Sequence, residues 1–149
     1  MNSFGVYAGP EVLIAFGTVT LDDMRADEFL EITADEDAYV TVKGSDGSIT
    51  RCTTGNSLFH ATVRLKAASN TNQVLSAILQ VDQIAGGGAG VASFFVKDPN
   101  GATIVTSEAA WLSKWPDFSK GKEVGKDVEW MFDMQILPGF MIIGGNQLT

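Results

Sequence analysis

Few residues in this chain of 149 could carry out chemistry, and their spacing argues against most of it. His60 is the sole histidine. No Gly-x-Ser-x-Gly elbow and no paired metal-ligand spacing accompanies it, so neither a nucleophile nor a zinc site finds its partners. A polar residue at a strand edge is the expected role. Cys52 is the only cysteine, which excludes an internal disulfide and makes a reducing compartment the simpler expectation. No basic neighbour is implied that would make it a thiolate, so a buried or half-buried small side chain is expected there. Asp35-Glu36-Asp37 groups three carboxylates, but without the ligand spacing and glycine of a calcium loop it reads as a solvated turn. Ala85-Gly86-Gly87-Gly88-Ala89-Gly90 lacks the Gly-Lys-Ser/Thr that opens a phosphate-binding helix, and its place after a helix makes it a stop signal. No catalytic, cofactor or metal residue is expected, and an enzyme is excluded.

The elements that hold these residues are mostly strands. Glu11–Leu21 reads as a first strand with apolar residues on both faces, which predicts burial on two sides. Leu21–Asp27 is a polar connection. Glu28–Thr33 alternates, with Leu30 and Ile32 opposite Phe29, Glu31 and Thr33. Tyr39–Lys43 and Ser48–Thr53 form a hairpin around Asp46-Gly47, whose types tolerate positive φ. Ala61–Lys66 places Val63 and Leu65 on one face and Thr62, Arg64 and Lys66 on the other.

At Ala68-Ser69-Asn70 the apolar period changes from two to about 3.6. Val74, Leu75, Ile78 and Leu79 then share one side of a helix over 70–83, capped by Ser69 or Asn70. Val91–Lys97 and Ala102–Thr106 form a second hairpin through Asp98-Pro99-Asn100-Gly101. Ser107–Asp127 has weak periodicity and reads as an extended segment anchored by Trp111 and Trp115, types that mark contact surfaces when exposed. Val128–Leu137 alternates throughout: Val128, Trp130, Phe132, Met134 and Ile136 oppose Glu129, Met131, Asp133, Gln135 and Leu137. Pro138-Gly139 turns the chain into Phe140–Ile143, a short buried or interface strand.

The sum is a single mainly-β domain over 1–149, a sandwich or barrel of antiparallel sheets with one helix. Nothing is long and apolar enough to span a bilayer, and Met1-Asn2-Ser3-Phe4-Gly5 lacks a signal-peptide layout. A net charge of −8 excludes nucleic-acid binding by general charge attraction.

In order and spacing the chain resembles the small tail tube proteins of contractile-tailed bacteriophages, over about Val12 to Asn146. The resemblance is carried by several motifs in sequence. First come the Asp46-Gly47 hairpin and the strand Ala61–Lys66, then Ala68-Ser69 and a helix starting near Asn70. Later come Trp115-Pro116-Asp117-Phe118, Gly121-Lys122-Glu123-Val124-Gly125, Glu129-Trp130-Met131-Phe132 and Gly144-Gly145-Asn146. The Gly86–Gly90 loop is richer in glycine than that family leads one to expect.

The resemblance implies a ring-forming tail tube fold, similar to the type VI secretion tube protein, without catalytic residues or cofactors. It implies hexameric rings stacked into a conduit in the virion, assembled in the host cytoplasm. The implied partners are other copies of the chain, a contractile sheath protein, a tape-measure protein and transiting DNA held without sequence-specific contacts, and no membrane. On this reading Glu129, Asp133 and Gln135, with Glu31 and Thr33, face the lumen. Subunit contacts are expected at Trp111, Trp115, Phe118, Phe140 and Ile142. A type VI-like injection tube and a monomeric β-sandwich binding module are the alternatives.

Overall fold

The computed structural model describes residues 12–22, 25–99, 102–117 and 127–144. In chain order the strands are β1 (Leu13–Phe16), β2 (Val19–Thr20), β3 (Arg25–Ala34), β4 (Tyr39–Lys43), β5 (Ile49–Thr53) and β6 (Leu58–Lys66). The helix α1 (Thr71–Ala85) follows, then β7 (Ala92–Lys97), β8 (Ile104–Lys114), β9 (Asp127–Gln135) and β10 (Met141–Ile142). One curled antiparallel sheet runs β2-β1-β7-β8-β9-β6-β3, with β10 beside β8, and β4-β5 form a separate ribbon. The expectation of a mainly antiparallel β fold with a single helix holds. The curl brings β3 back toward the other end of the sheet. Glu28, Phe29, Leu30 and Glu31 there face Val12, Val96, Asp98 and Thr103 across a cleft of about 410 Å³.

Alternation decides which face is buried. Along β9, Trp130, Phe132 and Met134 point inward, and Ile136 is buried just beyond it. They meet Ala61, Val63 and Leu65 of β6, each fully buried. Phe132 packs against Phe16 at 5.0 Å, edge to face, and against Phe94 at 5.1 Å between ring centroids, tying β9 to β1 and β7 across the core. Burying each of these large side chains contributes about 1.5–3 kcal/mol, and each ring pair adds roughly 0.5–1.5 kcal/mol.

The helix closes this core through Leu75 and Leu79, with Ile78 half-buried at its margin. Val74 does not dock as expected and is 43% exposed, because the buried stripe is centred on Leu75. Asn70 holds the N-cap position in helical geometry without a side-chain cap bond. The Ser69 hydroxyl accepts from the Thr71 amide instead, at 3.2 Å. Asn72 ties the first turn to the sheet: its Nδ2 donates to the Lys66 carbonyl, and its Oδ1 accepts from the Trp130 indole at 2.9 Å. The helix ends where Gly86, at φ +65°, donates to the Asp82 carbonyl. Gly90 then passes so close to Asp82 that an added Cβ would lie 2.6 Å from the Asp82 Cβ.

Other sequence expectations are corrected. Glu11–Leu21 is not one strand buried on both sides: a turn with Gly17 at φ +61° breaks it into β1 and β2, and Leu13 is 42% exposed. The polar connection is shorter than expected, because Leu21 is buried and β3 begins at Arg25. Arg25 pairs across from Leu65 before a register shift that separates it from Leu30. The extended segment after Thr106 is a full strand. β8 runs to Lys114, and register shifts around Ser107–Ala110 and Leu112–Lys114 disrupt the period-two pattern. Cys52 is exposed on β5, not buried.

Replacing Leu79 with Asp buries an unpaired carboxylate in this core, which costs several kcal/mol. The L79D chain should be insoluble or melt far below wild type, while V74D should change stability by no more than about 0.5 kcal/mol. Equal melting temperatures for L79D and wild type would contradict the docking of α1.

Candidate functional site

The sheet has a second, open face built from the polar side of the same alternation. Register places Glu129 opposite Arg64, Met131 opposite Thr62, Asp133 opposite His60 and Gln135 opposite Leu58. On the far side of β6, Glu31 sits opposite Thr62 and Thr33 opposite His60. The residues expected to face a lumen therefore share one surface: Glu129, Asp133, Gln135, Glu31 and Thr33 all lie on it. Trp111, half-buried, joins the row from β8 opposite Asp133.

These carboxylates are largely paired. Arg64 Nε donates to Glu129 at 3.2 Å, and its Nη2 lies 3.8 Å from Glu31. Lys66 reaches Asp127 at 3.2 Å. His60 Nδ1 is 2.7 Å from Asp133 and Nε2 is 2.9 Å from Asp35. The two aspartates, Asp35 first and then Asp133, hold the imidazole pKa above its ordinary value, and slight desolvation opposes them. His60 is thus an interior residue between β3 and β9 rather than a strand-edge one. Only register shows this, since Asp35 and Asp133 lie 25 and 73 residues away in sequence. Among the described residues no His, Cys, Asp and Glu cluster could hold a metal ion.

Two further surfaces lack a core of their own. Every residue of β4 and β5 is exposed, including Tyr39, Val40, Val42 and Ile49. The ribbon's internal supports are local. Gly47, at φ +88°, closes the turn to the Gly44 carbonyl. Asp46 accepts from the Ser48 hydroxyl at 2.7 Å and the Ser48 amide at 3.0 Å, which together lower its pKa. Arg51 stacks on Tyr39, 4.2 Å from the ring centroid. An isolated two-stranded ribbon is marginal in water, so these apolar residues lack burial within one copy. The other surface is a depression of about 510 Å³ on α1, lined by Val74, Ala77, Ile78, Val81 and Ala89.

The expected subunit-contact residues divide. Phe140 and Ile142, beside the start of β8, are about half exposed. Trp115 is engaged within the chain: its indole donates to Gln83 at 3.1 Å and its ring lies 6.5 Å from that of Trp130. Phe118 lies outside the described residues. The ribbon was missed as a surface because Val40 and Val42 alternate like any half-buried strand.

The fold is that of contractile-injection tube components. The chain aligns with the sheath/tube terminator of an extracellular contractile injection system, PVC, at TM-score 0.56 and 10% identity, covering 95% of this chain and 98% of that one. The tube-terminating cap of the anti-feeding prophage aligns at TM-score 0.53 and 11% identity, covering 91% of each chain. In sequence, it is 28% identical over 97 residues to the structural protein ORF10 of Pseudomonas phage KPP10, covering 65% of this chain. The match spans 56% of that relative's length. The model of the Bacteriophage PhiTE tail tube protein family matches residues 16–140, and the chain belongs to that family. It is a structural protein of the phage tail, part of the virion, and not an enzyme. No described helix is long and apolar enough to cross a membrane.

The cross-strand pair Arg64–Glu129 should show a coupling of about 0.2–1 kcal/mol in a double-mutant cycle to alanine, as a partly exposed pair does. An unfavourable coupling by chemical denaturation would contradict this pairing.

Proposed function

We propose that this chain, as one tube domain, is the repeating subunit of the tail tube, closing into hexameric rings that stack inside a contractile sheath. The observation that carries this reading is β3, a ten-residue strand at the end of the sheet whose outer side pairs with no described strand. Unpaired backbone donors and acceptors on such an edge invite a strand from another copy, and a ring abolishes every edge at once. The ribbon β4-β5 and the exposed Phe140 and Ile142 supply apolar contact between copies.

In this assembly the open face lines the lumen, where Glu129, Asp133, Gln135, Glu31 and Thr33 meet tape-measure protein and then DNA. Membership in a phage family favours DNA over protein cargo. The carboxylates of this face are largely paired with cations. With Arg64 and Lys66 among them the face is a mixed, mildly acidic surface. Such a surface gives phosphate no sustained cationic track, so DNA passes without sticking. Subunits form in the host cytoplasm and meet the sheath through the outer side of the ring.

Purified protein at rising concentration should sediment as rings and then tubes, visible by negative stain. The V42K/I49K double substitution on the ribbon should leave monomer melting within about 0.5 kcal/mol of wild type, as surface changes do, and abolish tubes. Replacing Gln135, which lies on the same face outside the ion pairs described above, with lysine should leave tubes intact but slow DNA ejection from reconstituted virions. A wild-type protein that stays monomeric at every concentration would overturn the proposal.

A further inference from the structure

We infer that His60 is a protonation-dependent bracket that fixes the base of the β4-β5 ribbon to the central sheet, so that the ribbon's pose, and assembly through it, follow pH. The assembly part rests on the function proposed above; the bracket itself does not.

The geometry carries the argument. His60 has a carboxylate oxygen within hydrogen-bond distance of each ring nitrogen: Asp133 at Nδ1, 2.7 Å, and Asp35 at Nε2, 2.9 Å. An ionised carboxylate only accepts, so satisfying both contacts needs a proton on both nitrogens. The neutral ring has one N–H and one lone pair. It can keep one aspartate, while the other faces the lone pair and is repelled.

The two aspartates belong to different parts of the molecule. Asp133 is in β9, in the middle of the sheet. Asp35 is the first residue of the leg that leads from β3 to the ribbon, and its amide donates to the Leu58 carbonyl. Below Asp35 the two legs hold each other: Asn56 Nδ2 donates to the Glu36 carbonyl, and the Thr54 hydroxyl donates to the Asp37 carbonyl. The ribbon therefore moves with its legs, and the Asp35–His60–Asp133 chain is the side-chain link from the leg to β9.

The surrounding charges are Glu31 on β3, Arg64 and Lys66 on β6, Asp127 and Glu129 on β9, Glu108 and Lys114 on β8, and Glu36 and Asp37 on the leg. Arg64 is committed to Glu129 and Glu31, and Lys66 to Asp127, whereas β8 presents the uncharged Trp111 to this row. Among these described groups, no other cation replaces the imidazolium between its two aspartates. The raised pKa of His60 agrees with this arrangement. A raised folded-state value means the bracket is fully present below the ordinary histidine value of 6.5 and is lost as pH rises through the raised one.

Cys52, exposed on β5 and the only cysteine, allows a direct test. A nitroxide attached there reports ribbon mobility by electron paramagnetic resonance in dilute full-length protein. His60 protonation is followed by NMR, and ring formation of unlabelled protein by sedimentation. The label should become more mobile with the same midpoint at which His60 deprotonates, and ring formation should fall over the same range. H60Q and D35A should both lose this pH response, with the label mobile throughout. A wild-type label that ignores the His60 titration, or an H60Q label that still titrates, overturns the bracket whether or not rings form. A label that responds while ring formation stays flat overturns the control of assembly alone. Absence of rings at every pH with a responding label counts against the proposed function and leaves the bracket standing.

Discussion

The constraint on which this structure depends is that every backbone amide and carbonyl on a strand must find a partner. Among the described residues each inner strand of the curled sheet pairs on both sides, while the strand at one end, β3, is ten residues long and pairs on one side only. An open edge of that length is a hazard in a soluble monomer and an asset in a subunit. The core is arranged accordingly. Phe16, Phe94 and Phe132 lock the middle of the sheet, and α1 covers it through Leu75 and Leu79. The stable centre thus holds both edge and ribbon out for a neighbour.

The same alternation that builds the core writes the open face, because each inward residue of β6 and β9 has an outward neighbour. Arg64, Lys66 and His60 stand opposite Glu129, Asp127 and Asp133 by register. Cross-strand pairs of opposite charge hold the register, since a slip by one residue would turn Trp130 and Phe132 outward. The surface proposed as the lumen is therefore also part of what fixes the strands in place. On the proposed function, replacing one member of these pairs would act on assembly and transit together unless its partner is changed too.

Much of this was legible in the sequence where one face is buried throughout. Trp130, Phe132 and Met134 alternate without interruption, so the faces of β9, with Glu129, Asp133 and Gln135 on the open side, followed from spacing alone, whereas placing Glu31 and Thr33 on that same side required the register of β3 against β6. Leu75 and Leu79 announced the helix in the same way. β8 was not legible, because shifts near Ser107 and Leu112 break the period that a reader relies on. The ribbon was legible as a hairpin but not as a detached one, since exposure depends on where it projects. The pairing of His60 with Asp35 and Asp133 required the register of β3, β6 and β9, which no local pattern contains.

The central claim is that closure of the β3 edge between copies places the open face inside a tube. A cryo-EM reconstruction of tubes grown from the purified protein tests it most directly. The account predicts β3 hydrogen-bonded to a strand of the adjacent subunit, with Glu129 and Asp133 lining the channel. Tubes in which β3 remains unpaired, or in which Glu129 and Asp133 lie on the outer surface, would contradict it.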